Sequence, residues 1–467
     1  MSRKAFFRNL YASGIPAIRS VDREMRSTKF YAILLVSVMF IGIFSLSPAL
    51  SSLTSSVSIT TSGKIAPTPT ITATSGYWQD IQTAVNWIVA NGGIGDVYIP
   101  EGTWNFVNVG ETWIGVEAGR VVVPAGVNIY GAPTERDADG QVRAWKTILV
   151  MPWDVPGAGN YNGISWFKFV GAEVEGVTSR LSDIKLVGYR SIDPNSTTVH
   201  AAIRVQGICD FRIDHCYFEH TCLGIQVWGL KTHGVIDHCF LINPVAKVGA
   251  TLGECTVIYG VCMGRGYGDY WDDNTENVLG HYTDYTTFIE DCYFEKWRHC
   301  IAANNGAHYV FRHNTIKDDF GFGSLDAHGW GAWDGEKVTQ VGTRAVEIYE
   351  NQIIDAIQNS HATFIRGGAG IAFNNTVGGG TYCSFLSFSD EADPNVSKCF
   401  SHDWWIWNNT MLLSGPDAYH PNTPCELVVN PNTEGNMENV DYFLHAPDTF
   451  VYTPYPYPHP LTLEATP

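Results

Sequence analysis

Apolar and polar positions along this 467-residue chain repeat one six-residue phrase: apolar, any, polar, Asn or Cys, any, apolar. It reads Ile213-Asp214-His215-Cys216-Tyr217-Phe218, then Ile236-Asp237-His238-Cys239-Phe240-Leu241, then Ile289-Glu290-Asp291-Cys292-Tyr293-Phe294. It returns at 311–316, 348–353, 372–377 and 406–411, with a degenerate copy at 181–186. Counted from the fourth position, the copies fall at 184, 216, 239, 292, 314, 351, 375 and 409. Three intervals are therefore 22–24 residues long, and the others read as the same unit carrying an insertion. A period of this length with one or two short strands per unit predicts a stacked parallel β-solenoid.

In such a coil, equivalent residues stack about 4.8 Å apart. The apolar residues three before and two after the marker are expected to point inward. The marker is expected at a bend, because Asn tolerates left-handed backbone and its amide can bond the copies above and below. Asn314, Asn351, Asn375 and Asn409 suit such a ladder, and Cys216, Cys239 and Cys292 replace the amide with a small buryable group. A second strand follows about ten residues later, at 224–228 and 300–304. Its outward positions, Gln226, Trp228, Ala302 and Asn304, should form one external face. Ahead of the repeats, Ile81, Ala84, Val85, Ile88 and Val89 make a helical stripe that ends at Asn91-Gly92-Gly93, which predicts a helix capping the open end of the solenoid.

Composition fits. The 46 Gly and 22 Pro against only 16% charged residues favour short strands and turns over charged helical surfaces. The formal charge of −18 argues against nucleic acid as a partner. Residues 1–29 form a basic leader and 30–46 an uncharged, mostly apolar run, read as a signal-anchor or signal peptide that leaves the rest outside. A Ser/Thr/Pro linker follows at 47–76, the β-helix domain at 77–415, and an extended C-terminal segment at 416–467 that is expected to pack on the solenoid. The expected location is extracellular or cell-surface, with the membrane as a partner through the N-terminal segment and a monomer as the default assembly. Of eleven cysteines, three occupy ladder positions, where stacked thiols are expected; Cys383, Cys399 and Cys425 are candidates for a bridge. No CxxC pair is present, which argues against a structural zinc site.

With Asp80-Ile81-Gln82-Thr83-Ala84-Val85, the Gly92-Gly93 turn and the strand ending Pro100-Glu101-Gly102-Thr103 in view, residues 77–415 resemble the pectin-lyase-like superfamily. The resemblance implies an all-β, right-handed, single-stranded parallel β-helix with an N-terminal helical cap. It does not fix the activity, because lyases, hydrolases, epimerases and non-catalytic adhesins share the fold.

The insertions point to the site, since solenoid loops emerge at defined corners. The interval between 314 and 351 carries Lys317, Asp318, Asp319, Asp326, His328 and Trp330 among glycines and aromatics, as expected of a carbohydrate-binding loop. By register, Lys296, Asp318 and Asp355 share one corner of successive coils, with Arg298 and His299 beneath and His361 beyond. Asp326-Ala327-His328-Gly329 is similar to the Asp-Pro-His motif of β-helical alginate epimerases, with Ala327 in place of proline. That similarity implies catalytic roles for Asp326 and His328 near basic residues that bind a uronate carboxylate.

A lyase or epimerase needs a cation on the uronate carboxylate, for which Arg298, Arg312 or Lys317 qualify, and a base, for which His299 or His328 qualify. A hydrolase needs two carboxylates, drawn from Asp318, Asp319, Asp326 and Asp355. The interval between 239 and 292 adds Trp271, a candidate sugar-stacking residue. Asp269, Asp272 and Asp273 there are candidate calcium ligands, although they lack EF-hand spacing. The expected function is an exported enzyme acting on an acidic, uronate-containing polysaccharide by β-elimination or epimerisation. The alternatives are a non-catalytic surface solenoid (a glycan-binding adhesin or envelope protein) and a glycoside hydrolase.

Overall fold

The computed structural model describes residues 68–463, apart from 112–119, 138–141, 153–164, 172–173, 189–200, 222, 230, 244–258, 265–278, 281, 283–285, 305, 320–322, 330–341, 358–360, 390–400, 416–422 and 430–435. The described chain is a parallel β-helix. Three sheets of 12, 10 and 10 strands run its length, and neighbours in each are parallel. One coil therefore contributes three strands, for example Phe211–Asp214 to sheet 1, Tyr217–Glu219 to sheet 2 and Leu223–Trp228 to sheet 3. The repeated phrase is the end of a sheet-1 strand, a corner, and the start of a sheet-2 strand.

Register carries through every copy. Leu181, Ile213, Ile236, Ile289, Phe311, Ile348, Ala372 and Ile406 are paired one to the next along sheet 1. All eight are buried, as are Phe218, Leu241, Phe294, Ile316, Ile353 and Val377 on sheet 2. A one-residue slip would turn each column out of the core, so column burial is what fixes the register across long insertions.

At the first corner the left-handed residue is the one before the marker. Asp183, His215, His238, Asp291, His313, Glu350, Asn374 and Asn408 have φ between 51° and 62°. The marker itself turns inward and forms the ladder. Asn314 N donates to Asn351 Oδ1 (2.8 Å), Asn351 Nδ2 to Asn375 Oδ1 (2.9 Å) and Asn375 Nδ2 to Asn409 Oδ1 (2.9 Å). Cys292 N joins it by donating to Asn314 Oδ1 at 2.9 Å. Cys216, Cys239 and Cys292 are buried thiols, and Cys383 and Cys425 are also unbridged; Cys399 lies outside the described residues.

The helix α1 (Trp78–Ala90) buries Ile81, Ala84, Val85 and Ile88 against the first strands. The solenoid continues beyond 415, where Glu426–Val429 joins sheet 3 and Tyr442–Phe443 joins sheet 1. Among the described residues no helix is long and apolar enough to cross a membrane; the leader, the apolar run 30–46 and most of the linker lie outside them.

The outer face of sheet 1 is not left to water. Arg180 pairs with Asp214, Arg212 with Asp237 and Arg312 with Glu290, all buried. Residues 452–461 run across the Arg212 and Arg312 pairs. Tyr455 and Pro456 carbonyls accept from Arg312 (2.7 and 2.9 Å), His459 N donates to Glu290 (2.8 Å) and Tyr452 Oη to Glu347 (2.6 Å). Buried ion pairs repay their desolvation only when their remaining donors and acceptors are satisfied, and this segment supplies the partners.

Candidate functional site

Asp326 lies on the strand Leu325–Ala327 of sheet 3, which follows the Ile301–Ala303 stretch of the previous coil in register. The expected long loop at this position is thus in part a regular strand. Leu325 and Ala327 enter the core, so the pleat turns Asp326 to the outer face, between Ala302 and Phe364. His328 N donates to the Ala303 carbonyl and Arg366 N to the Ala327 carbonyl, each at 2.9 Å. His328 and Arg366 are therefore successive rungs of one outer row.

The two side chains close on Asp326. Arg366 binds it as a fork, Nε to Oδ1 at 2.9 Å and Nη2 to Oδ2 in a shorter contact. His328 Nε2 lies 2.8 Å from Asp326 Oδ2 and 2.7 Å from Arg366 Nη2. One nitrogen cannot donate to the carboxylate and accept from the guanidinium at once, so the proton on Nε2 decides which bond is made. His299 stands on the other side, Nε2 3.7 Å from Asp326 Oδ2. Its Nδ1 lies 2.5 Å from the Gly323 carbonyl, which can only accept, so the ring proton of neutral His299 sits on Nδ1. Gly323 has φ +68°, and a Cβ there would lie 3.0 Å from Phe364, so glycine is what lets this carbonyl face His299.

Asp326 is fully buried, which by itself would raise its pKa. The charge of Arg366, then His328 and His299, outweighs burial and holds the carboxyl well below the usual range. Burial pushes His299 down to about 3, with Arg298 and Arg366 adding to the effect and Asp326 opposing it. The cluster at neutral pH is a charged Arg366–Asp326 pair flanked by a neutral His299. Only His328 and Arg366 expose appreciable side-chain surface, 21% and 17%, against 4% for His299 and none for Asp326. A ligand on this face meets the imidazole and guanidinium first.

The remaining expected residues fall elsewhere. Lys296, Asp318 and Asp355 do stack at one corner, with φ of 60°, 54° and 57°. It is the corner between sheets 2 and 3, however, and Lys296 pairs there with Glu295. Lys317 is on the sheet-2 strand Thr315–Lys317, level with Glu295. Asp319 turns into the core, accepting from Trp297 N at 2.7 Å and from the Cys300 thiol at 3.5 Å. Burial raises it to about 7 against the hydrogen bonds it receives. Arg312 belongs to the buried pairs of sheet 1, and its bonds to Glu290, Tyr349, Tyr455 and Pro456 make it a structural anchor instead of a ligand for substrate. Arg298 precedes His299 and depresses its basicity. His361 lies two coils beyond His299 in the same row, bonded to Ser384 Oγ at 2.7 Å. Trp271, Trp330, Asp269, Asp272 and Asp273 lie outside the described residues.

Arg366 was not anticipated from the sequence. The signal was available: extending the outward alternation of Ala302 and Asn304 by one coil gives Asp326 and His328, and by two gives Phe364 and Arg366.

Neither the protein-family models nor the curated protein sequences match this chain. Among solved structures, the A-module of the Azotobacter vinelandii mannuronan C-5 epimerase AlgE6 aligns at 12% identity over 77% of this chain and 97% of that one, with a TM-score of 0.37. The tailspike protein of E. coli bacteriophage HK620, solved with a pentasaccharide, aligns at 12% identity over 75% of this chain and 55% of its own, with a TM-score of 0.48. The catalytic domain of a GH87 alpha-1,3-glucanase with nigerose aligns at 11% identity over 86% and 70%, with a TM-score of 0.42. The fold assignment rests on the sheet order and register above, and no activity is carried over from these structures.

Proposed function

We propose that this chain is an exported carbohydrate-active protein that removes the proton next to the carboxylate of a uronate in an acidic polysaccharide. The observation that carries this reading is the Asp326–His328–Arg366 cluster on the outer face of sheet 3. Arg366 is the cation for the substrate carboxylate, whose charge would otherwise keep the neighbouring C–H from acidifying. His328 is the base, because His299 has its proton affinity depressed too far to hold the proton it takes. Asp326 orients both. The electron pair left on carbon either expels the linked oxygen at the next carbon, giving an unsaturated end, or takes a proton back on the opposite face, giving the epimer.

A polymer also needs a track. The rows of sheet 3 place Lys168, Arg204 and Gln226 in line with Asp326, and Gln206, Trp228 and Asn304 in line with His328. Trp228 is three coils from His328, about 14 Å away, a distance suited to stacking a more distant sugar. A hydrolase reading is less well supported: Asp326 is the one carboxylate in these two rows among the described residues, and it is locked by Arg366. Export rests on the basic leader and apolar run of the sequence.

The test is the purified full chain on a panel of uronate polysaccharides, with ultraviolet absorbance for unsaturated ends and NMR for stereochemistry. Unsaturated ends or epimerised units that vanish in His328→Ala support the reading. New reducing ends without unsaturation would replace it with hydrolysis. Glycan retention without any chemistry would make the protein a binding solenoid.

A further inference from the structure

Away from this face, three successive turns from sheet 3 to sheet 1 bring together a set of metal-ligating side chains. Glu175 comes from the turn after Ser165–Val170, Cys209 and Asp210 from the turn after Ala201–Gln206, and His233 from the turn after Leu223–Trp228. One ligand atom each of Glu175, Cys209 and His233 lies within 4.8 Å of the others. Cys209 Sγ is 3.8 Å from Glu175 Oε1, and His233 Nε2 is 3.2 Å from Asp210 Oδ1. Metal–sulfur bonds of about 2.3 Å and metal–nitrogen or –oxygen bonds of about 2.0 Å at tetrahedral angles put donors roughly 3.3–3.6 Å apart, close to the Cys209–Glu175 separation.

We propose that Glu175, Cys209 and His233 bind a zinc-class divalent ion that clips three consecutive coils together, with the fourth position left to water and Asp210 beside His233. A thiol and an imidazole beside a carboxylate select a borderline transition metal over calcium or magnesium. The second ring nitrogen of His233, Nδ1, is 3.2 Å from the Lys231 carbonyl, the kind of outer contact that orients a metal-bound imidazole. Cys209 is buried while Glu175 is exposed and His233 half-buried, so the ion has a way in from solvent.

The balance closes without a co-reactant. Without metal, burial keeps the proton on the Cys209 thiol. Binding forms the metal–sulfur and metal–nitrogen bonds and releases the thiol proton, and any proton on the ligating ring nitrogen, to solvent.

The experiment is a titration of the full chain, stripped with chelator, with Co2+ and then Zn2+. One equivalent of Co2+ should give a thiolate-to-cobalt charge-transfer band that Zn2+ abolishes. The band should persist in Cys383→Ser and disappear in Cys209→Ser. Glu175→Gln, at an exposed position, should weaken binding by about a hundredfold or more, the upper end of what even an outer-shell loss costs. No band with the unmodified chain would overturn the proposal. So would a band that survives Cys209→Ser, or unchanged affinity in Glu175→Gln.

Discussion

Asn351 accepts from Asn314 N at 2.8 Å and donates through Nδ2 to Phe311 O at 2.8 Å, Tyr349 O at 3.0 Å and Asn375 Oδ1 at 2.9 Å. Replacing it with alanine strands buried donors and acceptors above and below, and desolvation of such groups is expensive. Asn351→Ala is expected to cost about 3 kcal/mol in chemical denaturation. Asn409→Ala, at the half-exposed end of the ladder, should cost only about 1 kcal/mol. Equal losses at the two positions would show that the ladder is not a cooperative interior feature. Asp319 makes a pH prediction of definite sign. Its folded pKa of about 7 lies above the ordinary 3.8, so the folded state holds an extra proton between those values. Stability from this group is present at low pH and lost as pH rises through about 7, by about 4 kcal/mol at most. Asp319→Asn should remove that slope from a series of melting curves between those limits; a slope that stays would assign it to another group.

At the scale of the strand, the site depends on which face a row presents. The fork from Arg366 to Asp326 is the bond most sensitive to change, because the carboxylate has no exposure. Arg366→Ala should destabilise the fold by about 3 kcal/mol, the cost of leaving a buried charge without its partner. Arg366→Lys should recover part of the stability but not the paired geometry, since an ammonium lacks the planar fork. If both variants melted like the parent, Asp326 would not be the buried anion described here. The sequence showed much of this row and missed its key member for a physical reason. Periodicity reports inward positions strongly, because burial of Ile213, Phe218 and their equivalents constrains residue type at each coil. Outward positions carry no such constraint, so Arg366 is as variable in type as Ala302 or Phe364 in its neighbouring row. The corner stack of Lys296, Asp318 and Asp355 was legible from spacing alone. Which sheet that corner served was not, because a three-strand coil and a two-strand coil share the same period. Likewise Arg312 reads as a cation for substrate until its partners from residues 455–456, far along the chain, are seen.

Over the whole molecule, a solenoid has no second layer to cover its outer faces, and here residues 452–461 do this for sheet 1. Removing 450–467 would take partners from Arg212, Arg312, Glu290 and Glu347 at once. With hydrogen bonds to charged groups contributing about 1.5–3 kcal/mol each, the local loss should reach roughly 5 kcal/mol or more. Hydrogen exchange should then quicken in the sheet-1 strands Phe211–Asp214 and His308–Arg312 while Tyr293–Glu295 of sheet 2 stays protected. Uniform quickening would indicate a single cooperative unit instead. The covered sheet leaves sheet 3, with its rows of basic, amide and aromatic groups leading to His328, as the face proposed to meet a polymer. The most direct measurement is therefore solvent exchange at carbon. The full chain and His328→Ala would be incubated with uronate polysaccharides in D2O, and deuterium at the carbon bearing the carboxylate, together with unsaturated ends, followed by NMR. The account predicts label or elimination with the parent chain and neither with His328→Ala. An unlabelled, unchanged polymer across the panel, or labelling that persists without His328, would contradict it.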